Sequence, residues 1–181
     1  RLLSSAASDV YKRQDPNNLF LIDGSGYIFR AFYGLPSMSN NDGVPVNAVF
    51  GYTKMLLKLI DDFKPIYVAV IFDVARKTFR NDLYDLYKAN RSDPPDELIP
   101  QFSIIRDATN AIGLPVVEME GYEADDLIAT YSDIASKMNK NVIIVSSDKD
   151  LMQLVDQNIT LFDPMKQFWI NDEKVFEKFG V

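Results

Sequence analysis

Seven carboxylates stand where a chain of alternating strands and helices could bring them together: Asp23, Asp73, Glu123, Asp125, Asp126, Asp148 and Asp150. Asp23 closes the apolar run Leu19-Phe20-Leu21-Ile22, and Asp73 closes the run from Ile66 to Phe72. Asp148 and Asp150 follow Asn141 to Val145 and a pair of serines. Glu123, Asp125 and Asp126 fall at the predicted start of a helix, where Glu123 and Asp126 share a face at i, i+3. Ligands of open α/β sheets bind outside the carboxyl ends of the strands. These acids are therefore expected to line one concave rim. Like charges a few ångströms apart disfavour one another's ionisation, so the cluster needs either protons or cations. The chain has no histidine and no cysteine. An oxygen-only donor set selects Mg²⁺ or Mn²⁺, with Ca²⁺ a poor functional substitute. Two such ions ~4 Å apart can activate water and stabilise the leaving oxygen in phosphodiester hydrolysis.

The plainer role for any one of these acids is a helix N-cap or a turn former. Ser147-Asp148-Lys149-Asp150 fits a capping box, and Glu123 to Asp126 would suit a helix N-terminus electrostatically. Recurrence of the pattern at separate strand ends is what favours a shared purpose. Missing residue types narrow the chemistry further. Without cysteine there are no disulfides, thiolate metal sites or thiol nucleophiles, and without histidine there is no Ser-His-Asp triad or imidazole base.

Residues 76–91, RKTFRNDLYDLYKANR, have the opposite character. They hold five cations (Arg76, Lys77, Arg80, Lys88, Arg91) against two acids (Asp82, Asp85), in a chain whose net charge is −7. Phe79, Tyr84 and Tyr87 are interleaved with the cations. Cations for phosphates and aromatic faces for unstacked bases are the chemistry of single-strand binding. A solvated helix face is the alternative. With few strongly apolar residues, the segment is expected to be mobile without a nucleic acid and to order as helix on one. Gly24-Ser25-Gly26 is expected to be a tight loop, and it lacks a full dinucleotide fingerprint. Tyr27, Phe29 and Phe32 are expected in the core.

The elements that must position these residues alternate in type. Strands are predicted at Leu19–Ile22, Ile66–Phe72, Pro115–Val117, Asn141–Val145 and Ile159–Phe162, with a hairpin-like return at Gln167–Ile170. Helices are predicted at Val46–Phe63, from Pro94-Pro95 through Ile112, at Ala124–Met138, at Leu151–Val155 and from Asn171. Leu127, Ile128, Tyr131, Ile134, Ala135 and Met138 would form the buried stripe of the third long helix. Such alternation implies a mostly parallel sheet with helices on both faces. A length of 181 residues suits about one domain. No apolar run approaches the ~20 residues needed to span a bilayer. Residues 1–17, opening with RLLSSAASDVYKRQ, read as a non-native or disordered leader. They show no useful periodicity and lack the apolar core of a secretory signal.

The blocks LFLIDGSGYIFRAFYGLP, VIFDVARKTFRNDLYDLYKANR, GYEADDLIATY and VIIVSSDKDLMQLV, in that order, resemble the N-terminal 5′–3′ exonuclease domain of bacterial DNA polymerases I. That domain belongs to the structure-specific 5′-nuclease (flap endonuclease) family. The resemblance implies an α/β, three-layer PIN-like (resolvase-like) domain over residues 18–181, with a mostly parallel central sheet flanked by helices and a helical arch segment. It implies that Asp23, Asp73, Glu123 and Asp125 match ligands of a first metal, some through water. Asp125, Asp148 and Asp150 match the second-metal side, and Asp126 matches an additional acid of the bacterial members. Lys88 and Arg91 match catalytic basic residues at the arch base that contact the scissile phosphate. Tyr87 matches an aromatic stacking near the cleaved nucleotide. Arg30 and Arg80 match phosphate contacts, with Arg76 and Lys77 as further DNA-binding cations.

The implied activity is a 5′–3′ exonuclease and flap endonuclease using two Mg²⁺ (or Mn²⁺) ions per complete site. Its substrates would be DNA with a 5′ flap, a nick or a 5′ single strand, and RNA primers on DNA, in replication and repair. The implied setting is the bacterial cytoplasm and nucleoid, with no membrane partner and with fusion to polymerase domains. The family continues into further metal-site aspartates and a helix-hairpin-helix-type DNA-binding segment, which this chain is expected to lack and so to be inactive alone. Two other readings stay open on the residues. A receiver-type switch also places acids around Mg²⁺, and a stand-alone PIN-like ribonuclease would share the fold.

Overall fold

Strands covered on both faces must be apolar on both, and alternate side chains must suit two different helical layers. The computed structural model describes residues 15–74, 77–90 and 92–180. Its strands are β1 (Asn18–Asp23), β2 (Tyr67–Ile71), β3 (Val116–Val117), β4 (Asn141–Val145), β5 (Ile159–Asp163) and β6 (Phe168–Ile170). They form one sheet in the order β3-β2-β1-β4-β5-β6, parallel throughout except for the antiparallel β5–β6 pair. Ile22 pairs with Val70 on one side and Val145 on the other, and Val145 pairs with Phe162. The carboxyl ends of four strands therefore finish side by side.

Helices α1 (Gly24–Gly34), α2 (Asn47–Phe63) and α4 (Gln101–Ile112) cover one face, and α5 (Ala124–Lys137) covers the other. Phe20 and Ile22 pack with Tyr27, Tyr52, Leu56 and Phe63, whereas Leu21 between them packs with Ile128 and Ile144. A short α3 (Phe79–Leu83) follows β2, a 3₁₀ turn covers Asp150–Leu154, and α6 (Asp172–Phe179) ends the described chain.

Three sequence expectations are revised. Gly24-Ser25-Gly26 is the first turn of α1 rather than a loop, with Asp23 as its N-cap accepting from the Gly26 amide. The helix expected from Pro94-Pro95 begins only at Gln101, because residues 95–100 form a run of turns ending on Pro100. Buried Gln101 has a task there. The N-cap of α2, Val46, has no side-chain acceptor, and Gln101 Oε1 accepts from the orphan amides of Ala48 (2.8 Å) and Val49 (3.1 Å) instead. On α5 the buried stripe is Ala124, Leu127, Ile128, Ser132 and Ala135. Tyr131, Ile134 and Met138 are exposed, because the sheet admits only a narrow stripe and small Ser132 lies inside it.

Close approach of α1 to β2 requires glycine at position 24. A Cβ there would meet the Phe72 ring and lie 2.9 Å from the Ile71 carbonyl oxygen. Gly24→Ala should lower stability by about 1–3 kcal/mol through overpacking. Urea unfolding should show a lower midpoint at unchanged slope. Gly34→Ala, where an added Cβ meets nothing within 4 Å and the backbone is helical, should not lower the midpoint and should raise it slightly.

Candidate active site

Asp23 is buried at the end of β1, and both its oxygens are held. Oδ1 accepts from the Gly26 amide (2.9 Å), and Oδ2 accepts from the hydroxyl of buried Ser146 (2.8 Å). Ser146 Oγ in turn accepts from the Asp148 amide at 3.0 Å, which ties the β4 end to the β1 acid. Asp73 lies two residues beyond β2. Its Oδ2 accepts from Ser25 Oγ (2.8 Å) and its Oδ1 from the first amide of α5, at Ala124 (2.8 Å). An acid on a helix N-terminus is electrostatically favoured, so α5 fixes Asp73 while presenting its own Asp125. Asp150 is exposed at the start of the 3₁₀ turn, its amide donating to Asp148 Oδ1.

The electrostatics report the convergence. Burial raises the Asp23 pKa, and the charges of Asp73 and Asp148 raise it further. Asp125 is pushed up to about 6, first by burial and then by Asp23, Asp148 and Asp73. These four aspartates feel one another at a single rim. Among the described residues, no three carboxylates close on a common point as a ready-made cage. A divalent cation bound here would complete its shell with water rather than with a carboxylate cage. The oxygen-only donors fit a hard divalent ion on that footing.

Glu123 and Asp126 are placed differently from the four aspartates. Glu123 Oε2 accepts from Lys88 Nζ (2.7 Å) and from the Tyr87 hydroxyl (3.3 Å). Asp126 is gripped by Arg80 in a two-pronged pair, at 2.7 and 2.6 Å, and Asp126 Oδ2 also accepts from the Glu123 amide at 3.0 Å. That pairing with Arg80 holds the Asp126 carboxyl below its usual range. The seven-acid rim of the sequence reading thus resolves into four mutually repelling aspartates, two acids neutralised by the basic segment, and Asp150 at the periphery.

Within that segment only Phe79–Leu83 is helical, and turns follow through residue 90. It is not a bare coil. Lys77 and Asp82 form an exposed pair (3.3 Å), and Lys88 adopts a left-handed backbone at φ 55°. Arg30 is exposed on α1. Arg76, Arg91 and the first fourteen residues lie outside the described residues. A cavity of roughly 780 Å³ opens between the segment, α1 and α4, with Asp73, Glu123, Tyr87 and Lys88 on its wall. Phe29, expected in the core, is 39% exposed at this cavity and meets Phe102 edge-on.

Sequence reasoning missed the supports. Ser25 and Ser146 orient carboxylates, and Arg106 bonds the Asp73 carbonyl (2.8 Å) and Glu118 (2.7 Å) over the Phe72 ring. Buried Asp163 ends β5 and was also missed. Burial alone would raise its pKa, but the Lys166 and Met165 amides, Lys166 and Ser147 bring it below the usual range. Its position after an apolar run was the same signal that marked Asp23 and Asp73.

Residues 18–180 match the model of the 5′-3′ exonuclease, N-terminal resolvase-like domain. The chain is 53% identical to DNA polymerase I of Rhizobium leguminosarum across 98% of its own length, spanning 18% of that protein. It is 40% identical to a 5′-3′ exonuclease of Aquifex aeolicus across 90% of its length, spanning 56% of that protein. Among solved structures, the phage T5 flap endonuclease with DNA and metal ions aligns over 91% of this chain and 61% of its own. The TM-score is 0.65 at 22% identity, a likeness of fold.

The raised Asp125 pKa sets a pH dependence. Its native state holds the proton more tightly than the unfolded chain, so stability falls as pH rises from about 4 through about 6 and stays lower above. Asp125→Asn should stabilise the metal-free protein at pH 7.5 by about 1–2 kcal/mol, after solvent screening at a half-buried group. The gain should vanish near pH 3.5. Denaturant midpoints across that range provide the check, and a pH-independent gain would contradict the clustering.

Proposed function

The chain belongs to the family of 5′-3′ exonuclease N-terminal resolvase-like domains, and we propose that it hydrolyses DNA phosphodiester bonds near a 5′ end. The observation that carries this is the juxtaposition of four repelling aspartates with a cavity walled by Lys88, Tyr87 and aromatic side chains. Substrates of this reading are a 5′ flap, a nick or a primer strand, and the parent protein is a DNA polymerase I, as in the Rhizobium relative. Divalent cations, Mg²⁺ or Mn²⁺, would supply an activated water and charge compensation for the leaving oxygen.

The protein's own part is arrangement. Fixed donors hold Asp23, Asp73 and Asp148 at the rim, the first turn of α5 carries Asp125 there, and Asp150 and the α5 N-cap Glu123 lie beside them. Lys88 on Glu123 keeps a cation at the mouth of the cavity, within reach of a strand entering it. There it can meet charge developing on a phosphate, where a fixed donor is worth most. Tyr87 offers a ring to a base, and Arg30 and Lys77 are exposed for more distant phosphates. Arg91 and Arg76 take the same arch-base and phosphate roles in this proposal.

Mg²⁺ should raise the melting temperature beyond a monovalent salt of equal ionic strength, with about 2.7 kcal/mol expected at 100 times the dissociation constant. Under single-turnover conditions with saturating enzyme, a 5′-flap duplex should be cut in preference to single-stranded RNA. Lys88→Ala should slow that step by roughly 100-fold or more. Lys77→Ala, whose side chain is 79% exposed, should cost only a mild, salt-dependent affinity loss. Equal rates for the two variants would reduce the segment to a generic basic surface.

A further inference from the structure

The basic segment is fastened to the start of α5 at two places, and the two fastenings differ in kind. At its beginning, Thr78 and Gly121 form a parallel bridge, with the Phe79 amide donating to the Gly121 carbonyl at 2.9 Å. The Phe79 ring packs on Tyr122 with centroids 5.5 Å apart. One residue on, the Arg80 guanidinium forks onto both oxygens of Asp126 and lies 4.7 Å from the Phe79 ring centroid and 5.8 Å from that of Tyr87. The paired side chains of Arg80 and Asp126 are only 30% and 20% exposed. At its far end, Lys88 reaches Glu123 through an ammonium contact from a left-handed backbone, and the Tyr87 hydroxyl adds a longer bond (3.3 Å) to the same oxygen. A planar fork fixes direction as well as distance, whereas an ammonium is a point charge on a flexible stem.

We propose that Arg80 and Asp126 form the fixed pivot of the basic segment. Asp126 is thereby a positioning residue that acts through Arg80, and it is not one of the cation-binding acids. The inference rests on the reading of the rim as a cation site. Both Asp126 oxygens are engaged by the guanidinium, and Oδ2 also accepts from the Glu123 amide, so a cation at the rim would have to compete with or share these donors. Lys88, by contrast, bonds to Glu123 beside the rim and can exchange its partner without disturbing the pivot. The placement of Tyr87 and Lys88 over the cavity then depends on Asp126 as much as on their own contacts.

Mn²⁺ binding by calorimetry and backbone amide exchange of residues 79–90 test this on the full chain, in Asp126→Asn, Arg80→Lys and Asp125→Asn. Asp126→Asn should bind Mn²⁺ within about twofold of the parent while exchange in 79–90 accelerates roughly tenfold or more. Arg80→Lys keeps the charge but loses the fork, and should give the same two results. Asp125→Asn should do the reverse, with Mn²⁺ binding lost and exchange unchanged. Loss of Mn²⁺ binding in Asp126→Asn with unaltered exchange would overturn the pivot and make Asp126 a ligand. If the parent itself binds no Mn²⁺, the cation-site reading fails, and the exchange arm still decides the pivot.

Discussion

Aspartates gathered at one end of a parallel sheet repel each other, and much of this fold serves to hold four of them in place. Asp23, Asp73, Asp125 and Asp148 come together because neighbouring parallel strands end level, and because α5 begins directly above Asp73. Hydroxyls and amides oppose the repulsion. Ser146 bridges Asp23 to the Asp148 amide, Ser25 holds Asp73, and the first turns of α1 and α5 each aim an amide at a carboxylate. The opposition is incomplete, since the Asp125 pKa still stands at about 6. A residual excess of negative charge on a rigid rim is what a hydrated divalent cation would relieve.

Glycine at position 24 belongs to the same constraint. Only a residue without Cβ lets α1 start immediately after Asp23 and against Phe72, so that the acid can cap the helix while remaining at the rim. At Gly26 a Cβ would lie 2.7 Å from Asp23 Oδ2, which protects the carboxylate itself. The basic segment completes the balance from the other side. Arg80 and Lys88 neutralise Asp126 in the first turn of α5 and Glu123 at its N-cap. Positive charge is thus delivered to the cavity wall, and that of Lys88 also offsets part of the repulsion at Asp125.

The strands were legible because uninterrupted runs such as Val142-Ile143-Ile144-Val145 fit nothing else in an alternating chain. Strand-end acids were legible for the same reason, and Asp163 carries the same signal at the end of β5, where the chain returns as a hairpin rather than entering a helix. Helix starts were less readable. Pro94-Pro95 looks like an entry signal, yet Gln101 is recruited to cap a distant helix, a tertiary demand with no local trace. The partition of the seven acids was also hidden. Glu123 and Asp126 differ from Asp125 in role because Arg80 and Lys88 reach them from about 35 to 46 residues away in sequence. Spacing along one helix carries no record of that contact.

A cation site at the carboxyl ends of β1, β2 and β4 is what the whole arrangement of acids and donors amounts to. Paramagnetic broadening of backbone amide signals by substoichiometric Mn²⁺ tests it most directly. Gly26, Ala124 and Asp148, whose amides lie at the rim, should fade first, while Lys140 and Asn158 at the opposite ends of the strands persist. Uniform weak broadening, or earlier loss at Lys140 and Asn158, would contradict it.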